Sequence, residues 1–176
     1  MEILKSGNLV FRKPMYDDIE RLCELKNNKD ASALLGGPPK QYSHLDIWEW
    51  MDFHNGRHDE RLFVIYDESA EKLIGHVGLY KIDMMSRKAE FGILIADNDS
   101  RGKGYGTICT NVMVDYAFRR LGLHKVYAEV ISENIPSKMM FLKCGFSLDG
   151  ILRDDNYKNG RFYDVLILSI LASDRS

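Results

Sequence analysis

A chain of 176 residues with 45% hydrophobic content is long enough to bury one core and short for two, so a single domain over residues 1–176 is expected. Lysine and arginine number 24 against 26 aspartates and glutamates, a formal net charge of −2 with no polycationic block, which argues against sequence-independent nucleic-acid binding. No apolar run approaches the length of a membrane span, and Met1-Glu2-Ile3-Leu4-Lys5 lacks the apolar stretch of a signal peptide.

Cys23, Cys109 and Cys144 are odd in number and widely spaced, as reduced thiols of a cytoplasmic protein would be. The five histidines show no helical metal spacing, and no metal is expected.

In chain order, Leu9 to Arg12 reads as a short strand. Asp17-Asp18-Ile19-Glu20 has the form of an N-cap followed by a glutamate, opening a helix to about Asn27. Gly36-Gly37-Pro38-Pro39 is a loop. Ser43 then caps a second helix that carries Leu45, Trp48, Trp50, Met51 and Phe53. Leu62 to Tyr66 and Leu73 to Tyr80 are strands joined through a turn at Asp67-Glu68-Ser69, and Glu90 to Ile95 is a further strand.

The run Arg101-Gly102-Lys103-Gly104-Tyr105-Gly106-Thr107 follows that strand and a polar turn, and opens into a helix to about Leu121. Alternating glycines let the backbone curl so that several N–H groups converge, and a helix N-terminus adds its dipole. The natural ligand is a phosphate. A P-loop needs Ser or Thr directly after Gly-Lys, but Gly104 follows Lys103; a dinucleotide fingerprint counted from Gly102 needs glycine where Thr107 stands. The following helix has polar positions Asn111, Asp115 and Arg119 at four-residue spacing, which predicts one thin solvated stripe.

Lys125 to Ile131 reads as a strand, Ser132-Glu133-Asn134 as a turn, and Ile135 to Lys143 as a short helix stopped by Gly145. Asn159-Gly160 signals a type I′ hairpin between two final strands, the second from Val165 to Ile170. The sum is a layered α/β fold with helices on both faces of a mixed sheet.

Three motifs in order carry a family resemblance. Arg101-x-x-Gly104-x-Gly106 matches the pyrophosphate loop of the GCN5-related N-acetyltransferases, the GNAT superfamily. Asn134…Ser137…Phe141…Gly145-Phe146 resembles that family's next motif at the same spacing. The tail Gly150-Ile151-Leu152-Arg153…Asn159-Gly160-Arg161-Phe162-Tyr163-Asp164-Val165 resembles the branch that holds spermidine/spermine and ribosomal-protein N-terminal acetyltransferases.

The resemblance implies a mixed, mostly antiparallel sheet around a central β-α-β unit that binds acetyl-CoA. It implies a primary amine as acceptor, either on a small molecule such as a polyamine or amino sugar or at a peptide N-terminus. It admits homo-oligomers, and a non-catalytic acyl-CoA-binding module is the alternative of another class. Carried over by position, the backbone of Leu94, Ile95 and Ala96 would hold the pantetheine arm like an added strand. Arg101, Gly102, Lys103, Gly104, Tyr105, Gly106 and Thr107 would hold the pyrophosphate, Asn134 would bond the arm or simply cap its helix, and Phe141 would also stand against the cofactor.

Phe141 stands where many family members place a tyrosine that protonates the departing thiolate, and a phenyl ring has no proton to give. Tyr127 and Cys144 lie nearby in sequence, each also readable as core. Glu90, at the start of the strand before the loop, is the candidate base that takes the amine proton, with Glu129 second. Asp46, Glu49 and Asp52 on the second helix, with Asp154, Asp155 and Asp164 near the hairpin, are a possible acidic rim for a cationic acceptor or an ordinary solvated face.

Overall fold

The structure, a computed structural model, describes residues 2–36 and 38–175. Gly37 of the Gly-Gly-Pro-Pro loop, like Met1, lies outside the described residues. Eight strands form one sheet: β1 (Ile3–Ser6), β2 (Leu9–Arg12), β3 (Arg61–Asp67), β4 (Lys72–Asp83), β5 (Lys88–Ile95), β6 (Lys125–Ile131), β7 (Ser147–Lys158) and β8 (Arg161–Leu171). Their spatial order is β1-β2-β3-β4-β5-β6-β8-β7, and every neighbouring pair is antiparallel except β5 with β6. The helices are α1 (Ile19–Lys26), α2 (Lys29–Ala33), α3 (His44–Asn55), α4 (Tyr105–Asp115) and α5 (Ile135–Lys143). This is the expected layered α/β fold.

Period-two alternation divides the strands between two cores. Phe63, Ile65, Val77, Leu79 and Phe91 face Met113, Val114 and Ala117 of the α4 segment and Phe141 of α5. The alternate residues Val64, Leu73, Leu94 and Ala96 face Ile19, Leu22 and Leu25 of α1 with Ile47 and Met51 of α3. Helices therefore cover both faces, α1 and α3 on one side, α4 and α5 on the other.

Local chemistry differs from the sequence reading at three places. The first helix is not capped by Asp17. Asp18 accepts a hydrogen bond from the Met15 amide at 2.7 Å and pairs through both oxygens with Arg12, at 2.7 and 2.8 Å. The polar stripe of α4 is partly covered, since Arg175 bonds Asn111 at 2.8 Å and Asp115 at 3.1 Å, while Arg119 stays exposed as expected. Strand β1, helix α2 and the full length of β7 are additions. By contrast, Ser43 caps α3 in a reciprocal box with Asp46, a feature that typically contributes about 1 kcal/mol. Asn159 and Gly160 both have positive φ, at 51° and 81°, as a type I′ turn requires.

The feature that positions the site is a short parallel pairing. Strands β5 and β6 are joined only at Lys88–Lys125, Ala89–Val126 and Glu90–Tyr127. Beyond that point β5 stays with β4 to Ile95, and β6 stays with β8 to Ile131. A wedge opens in the sheet from Phe91 and Ala128 onward.

Candidate active site

The glycine loop stands at the end of β5, above this wedge. Gly102 and Gly104 both take φ of +75°, a left-handed conformation, and a Cβ on either would meet nothing within 4 Å. Their requirement is therefore conformational. Gly106 serves another purpose: a Cβ there would lie 2.7 Å from Met140 Sδ, so its absence lets α5 pack against α4. The first bond of α4 runs from the Ile108 amide to the Gly104 carbonyl at 3.1 Å. The amides of 105, 106 and 107 thus precede the first helical bond and have no acceptor within α4.

Side chains from distant elements hold the loop from behind. The Tyr105 hydroxyl donates to Asp67 at 2.9 Å, and Asn8 Nδ2 donates to both Tyr105 and Asp67. Asp67 also accepts from the Ser69 hydroxyl and amide. Burial works to raise the Asp67 pKa, but the bonds from Ser69, Asn8 and Tyr105 outweigh it and hold the carboxyl well below the usual range. One residue before the polar turn's 3-10 segment, Asp97 does the same work. It receives Arg21 at 2.7 Å, Lys72 at 3.0 Å and Ser100 at 2.8 Å. Asn28 Nδ2 donates to the Ala96 carbonyl at 2.7 Å, securing the chain where it leaves β5. From sequence alone Asp67 and Ser69 read only as a turn, and Asp97 only as part of the polar turn before the glycine loop.

Beneath the loop lies a cleft of about 500 Å³. Leu94, Ile95, Arg101, Gly102, Gly104, Tyr105, Gly106, Thr107 and Asn134 line it, together with Asp30, Leu34, Pro136 and Met140. Three expected contributors, Ala96, Lys103 and Phe141, do not line this cleft, and Phe141 lines only the adjoining chamber. Ala96 is buried, and its amide and carbonyl are occupied by Ile74 and Asn28. Lys103 lies off the lining, its ammonium 5.7 Å from the Tyr105 ring centroid. Asn134 does cap α5, accepting from the Ser137 amide at 3.2 Å, but its Nδ2 also reaches the Leu34 carbonyl at 3.0 Å. It fastens the α2 segment over the cleft.

The cleft continues into a smaller chamber of about 250 Å³ inside the wedge, lined by Glu90, Gly92, Glu129, Phe141 and Asn156 among others. Among the described residues, no lysine, arginine or histidine lines it. Glu90 is the last residue paired across to β6, and its side chain is 22% exposed. Lys81, at φ 49° in a bulge of β4, places its ammonium 2.6 Å from Glu90 Oε2. Asn156 Oδ1 is buried and has no hydrogen-bond partner among the described residues, an acceptor left for a donor to fill. Asp46, Glu49 and Asp52 line neither cavity, and Asp46 is engaged by Ser43 and Lys40.

Phe141 sits at the junction of chamber and core, 3% exposed, with its ring edge-on to Phe91 at 5.7 Å between centroids and tilted against Phe146 at 4.9 Å. It contributes shape, not a proton. Burial, and after it Glu90, raises the Tyr127 phenol. Burial raises the Cys144 thiol, which donates to the Thr107 carbonyl at 3.8 Å. We therefore expect turnover to survive Phe141→Leu and to rise in Phe141→Tyr. A loss beyond about a hundredfold in Phe141→Leu, some 2.7 kcal/mol of barrier, with fold and CoA affinity intact, would overturn this assignment.

Residues 8–147 match the acetyltransferase (GNAT) domain family model. The spermidine N(1)-acetyltransferase of Vibrio cholerae serotype O1 is 33% identical over 168 residues, covering 96% of this chain and 95% of that protein. The crystal structure of the spermidine N-acetyltransferase from Vibrio cholerae in complex with CoA and spermine superposes with a TM-score of 0.87 at 32% identity, covering 96% of this chain and 98% of that one. A dodecameric structure of that enzyme in an intermediate state gives a TM-score of 0.81 at 32% identity, covering 97% of each chain.

Proposed function

The chain belongs to the GNAT family of acetyltransferases, and from that premise we propose that it moves an acetyl group from acetyl-CoA to a primary amine of a polyamine-like small molecule. The observation that carries the acceptor class is the chamber in the wedge. It offers the Glu90 and Glu129 carboxylates and the unpaired Asn156 oxygen, with no basic side chain in its lining. Such a lining favours a ligand rich in N–H donors and positive charge. The likeness to a spermidine acetyltransferase supports the same class.

The residues divide the work as follows. The amides of 105, 106 and 107 and the Arg101 side chain hold the pyrophosphate at the start of α4. The free edge of β5 at Leu94 and Ile95 lies along the pantetheine arm. Glu90 exchanges Lys81 for the acceptor ammonium, takes its proton and leaves the neutral amine to attack the thioester. Direct transfer needs the acceptor to reach the wedge from the α1 and α3 face, where alternation places Glu90 and Glu129.

Thiol release with a panel of polyamines, amino sugars and N-terminal peptides tests the reading. Polyamines should lead by at least an order of magnitude in kcat/KM. Peptides leading would move the assignment to a protein N-terminal acetyltransferase, and CoA binding without release from any amine would leave a binding module.

Assembly is proposed as well. Strand β7 exposes Leu148, Ile151, Leu152 and Tyr157, and facing it β8 exposes Phe162. A sheet edge with this much apolar surface is commonly covered, and a second copy is the occupant suggested by the dodecameric relative. Light scattering at micromolar protein should give a mass above one chain. A monomer would refute it.

A further inference from the structure

Beside the cleft lies a second cavity of about 260 Å³ whose lining includes Lys26, Lys29, Lys40 and Lys158 and, among the described residues, no carboxylate. Leu35 and Leu94 line both this cavity and the cleft below the glycine loop, so the two adjoin at these residues. The four lysines are not equivalent. Lys158 is consumed by the carbonyls of Ser32, Ala33 and Leu35, at 2.7, 3.2 and 2.6 Å. Lys40 is paired with Asp46 at 2.9 Å, and Lys29 is exposed.

Lys26, the last residue of α1, has no carboxylate partner among the described residues. Its Nζ rests 4.1 Å from the Trp50 ring centroid and 5.0 Å from that of Tyr42, the ring that Lys40 also approaches at 5.0 Å. Desolvation and a neighbouring cation are the two conditions that leave a lysine neutral and nucleophilic. Burial first, and Lys40 second, lower its pKa to about 8. The Trp50 and Tyr42 faces favour the ammonium, but none of the titratable groups that face it supplies a negative charge: Lys29 and Lys158 are cations across the cavity, and His76 of β4 is kept neutral by burial.

We propose that Lys26 is a self-acylation site, accepting an acetyl group from acetyl-CoA held in the adjoining cleft. This rests on the placement of acetyl-CoA given above. The Lys26 nitrogen lone pair forms a bond to the thioester carbonyl carbon and the carbon–sulfur bond breaks. The nitrogen loses one proton and the departing thiolate gains one, giving an amide and free CoA thiol. The product carries no charge, so the repulsion with Lys40 disappears and the junction at Leu35 and Leu94 gains an acetyl methyl.

The test is incubation of the full chain with acetyl-CoA and no amine, followed by peptide mapping by mass spectrometry, with acetyl-CoA binding measured by calorimetry on the same sample. Acetyl-Lys26 should form at least tenfold faster than acetyl-Lys29 or acetyl-Lys40, although those two are more exposed. The rate should rise with pH and level off above about pH 8, and Gly104→Val should reduce it to the background of the exposed lysines. Lys26→Arg should lose the modification while retaining acetyl-CoA affinity. Binding without preferential acetylation of Lys26, or an unchanged rate in Gly104→Val, would overturn the inference alone. Absence of binding would overturn the placement of acetyl-CoA together with it.

Discussion

Glu90→Gln should lower kcat by about 10²–10⁴-fold, equivalent to about 3–5 kcal/mol of barrier, while the affinity for acetyl-CoA should hardly change. Glutamine keeps the shape and the hydrogen-bonding capacity of the residue at the mouth of the wedge and removes only its ability to take a proton. The position supports that role, because Glu90 is the last residue bridged to β6 before the strands part, and it lines the chamber and not the cleft under the loop. Lys81 adds a second readout. Its ammonium is held above its usual pKa chiefly by its bond to Glu90, so a cationic acceptor competes with it for the same carboxylate. The loss in Glu90→Gln should shrink as pH rises, since more of the free amine is then already neutral. A pH–rate profile that overlays the parent protein would remove Glu90 from the mechanism, and Glu129 on the facing strand would be tested next.

The parts of the site that were legible in the sequence are those whose requirement is local. Gly102 and Gly104 announce themselves because positive φ is a property of one residue. The Ser43 and Asp46 cap lies within one helical turn, and Asn159-Gly160 within one hairpin turn. What holds the loop was not legible, since it joins residues far apart in the chain: Tyr105 lies 38 residues from Asp67 and 97 from Asn8. Strand β7 was poorly legible for another reason. Most of its residues are exposed on both faces, so the period-two signal that marks a half-buried strand is missing. Lys81 and Glu90 come together through a bulge of β4 between Tyr80 and Asp83, and a one-residue irregularity of register leaves no trace in composition. The spacing of Asp46, Glu49 and Asp52 left two readings open, an acidic rim or an ordinary solvated face, because it fixes one helix face and not what that face meets; none of the three lines either cavity.

Gly104→Val should weaken acetyl-CoA binding by an order of magnitude or more. Two effects act at this position. The residue sits at φ +75°, where a side chain costs about 1–2 kcal/mol of backbone strain, and its Cβ would point into space where no protein atom lies within 4 Å. Gly104 lines the same cleft as residues 105, 106 and 107, so on the proposed placement the added carbons should crowd an anion approaching their amides. Strain alone could loosen the loop and mimic a blocked site. Gly122→Val separates the two effects, because Gly122 also has a positive φ, of 67°, with nothing within 4 Å of its Cβ, yet lies beyond the far end of α4. Both variants should unfold at slightly lower temperature than the parent, by similar amounts. Only Gly104→Val should lose affinity in calorimetry with CoA. Equal affinity in a folded Gly104→Val protein would remove the pyrophosphate from the start of α4, and an equal loss in Gly122→Val would assign the effect to strain.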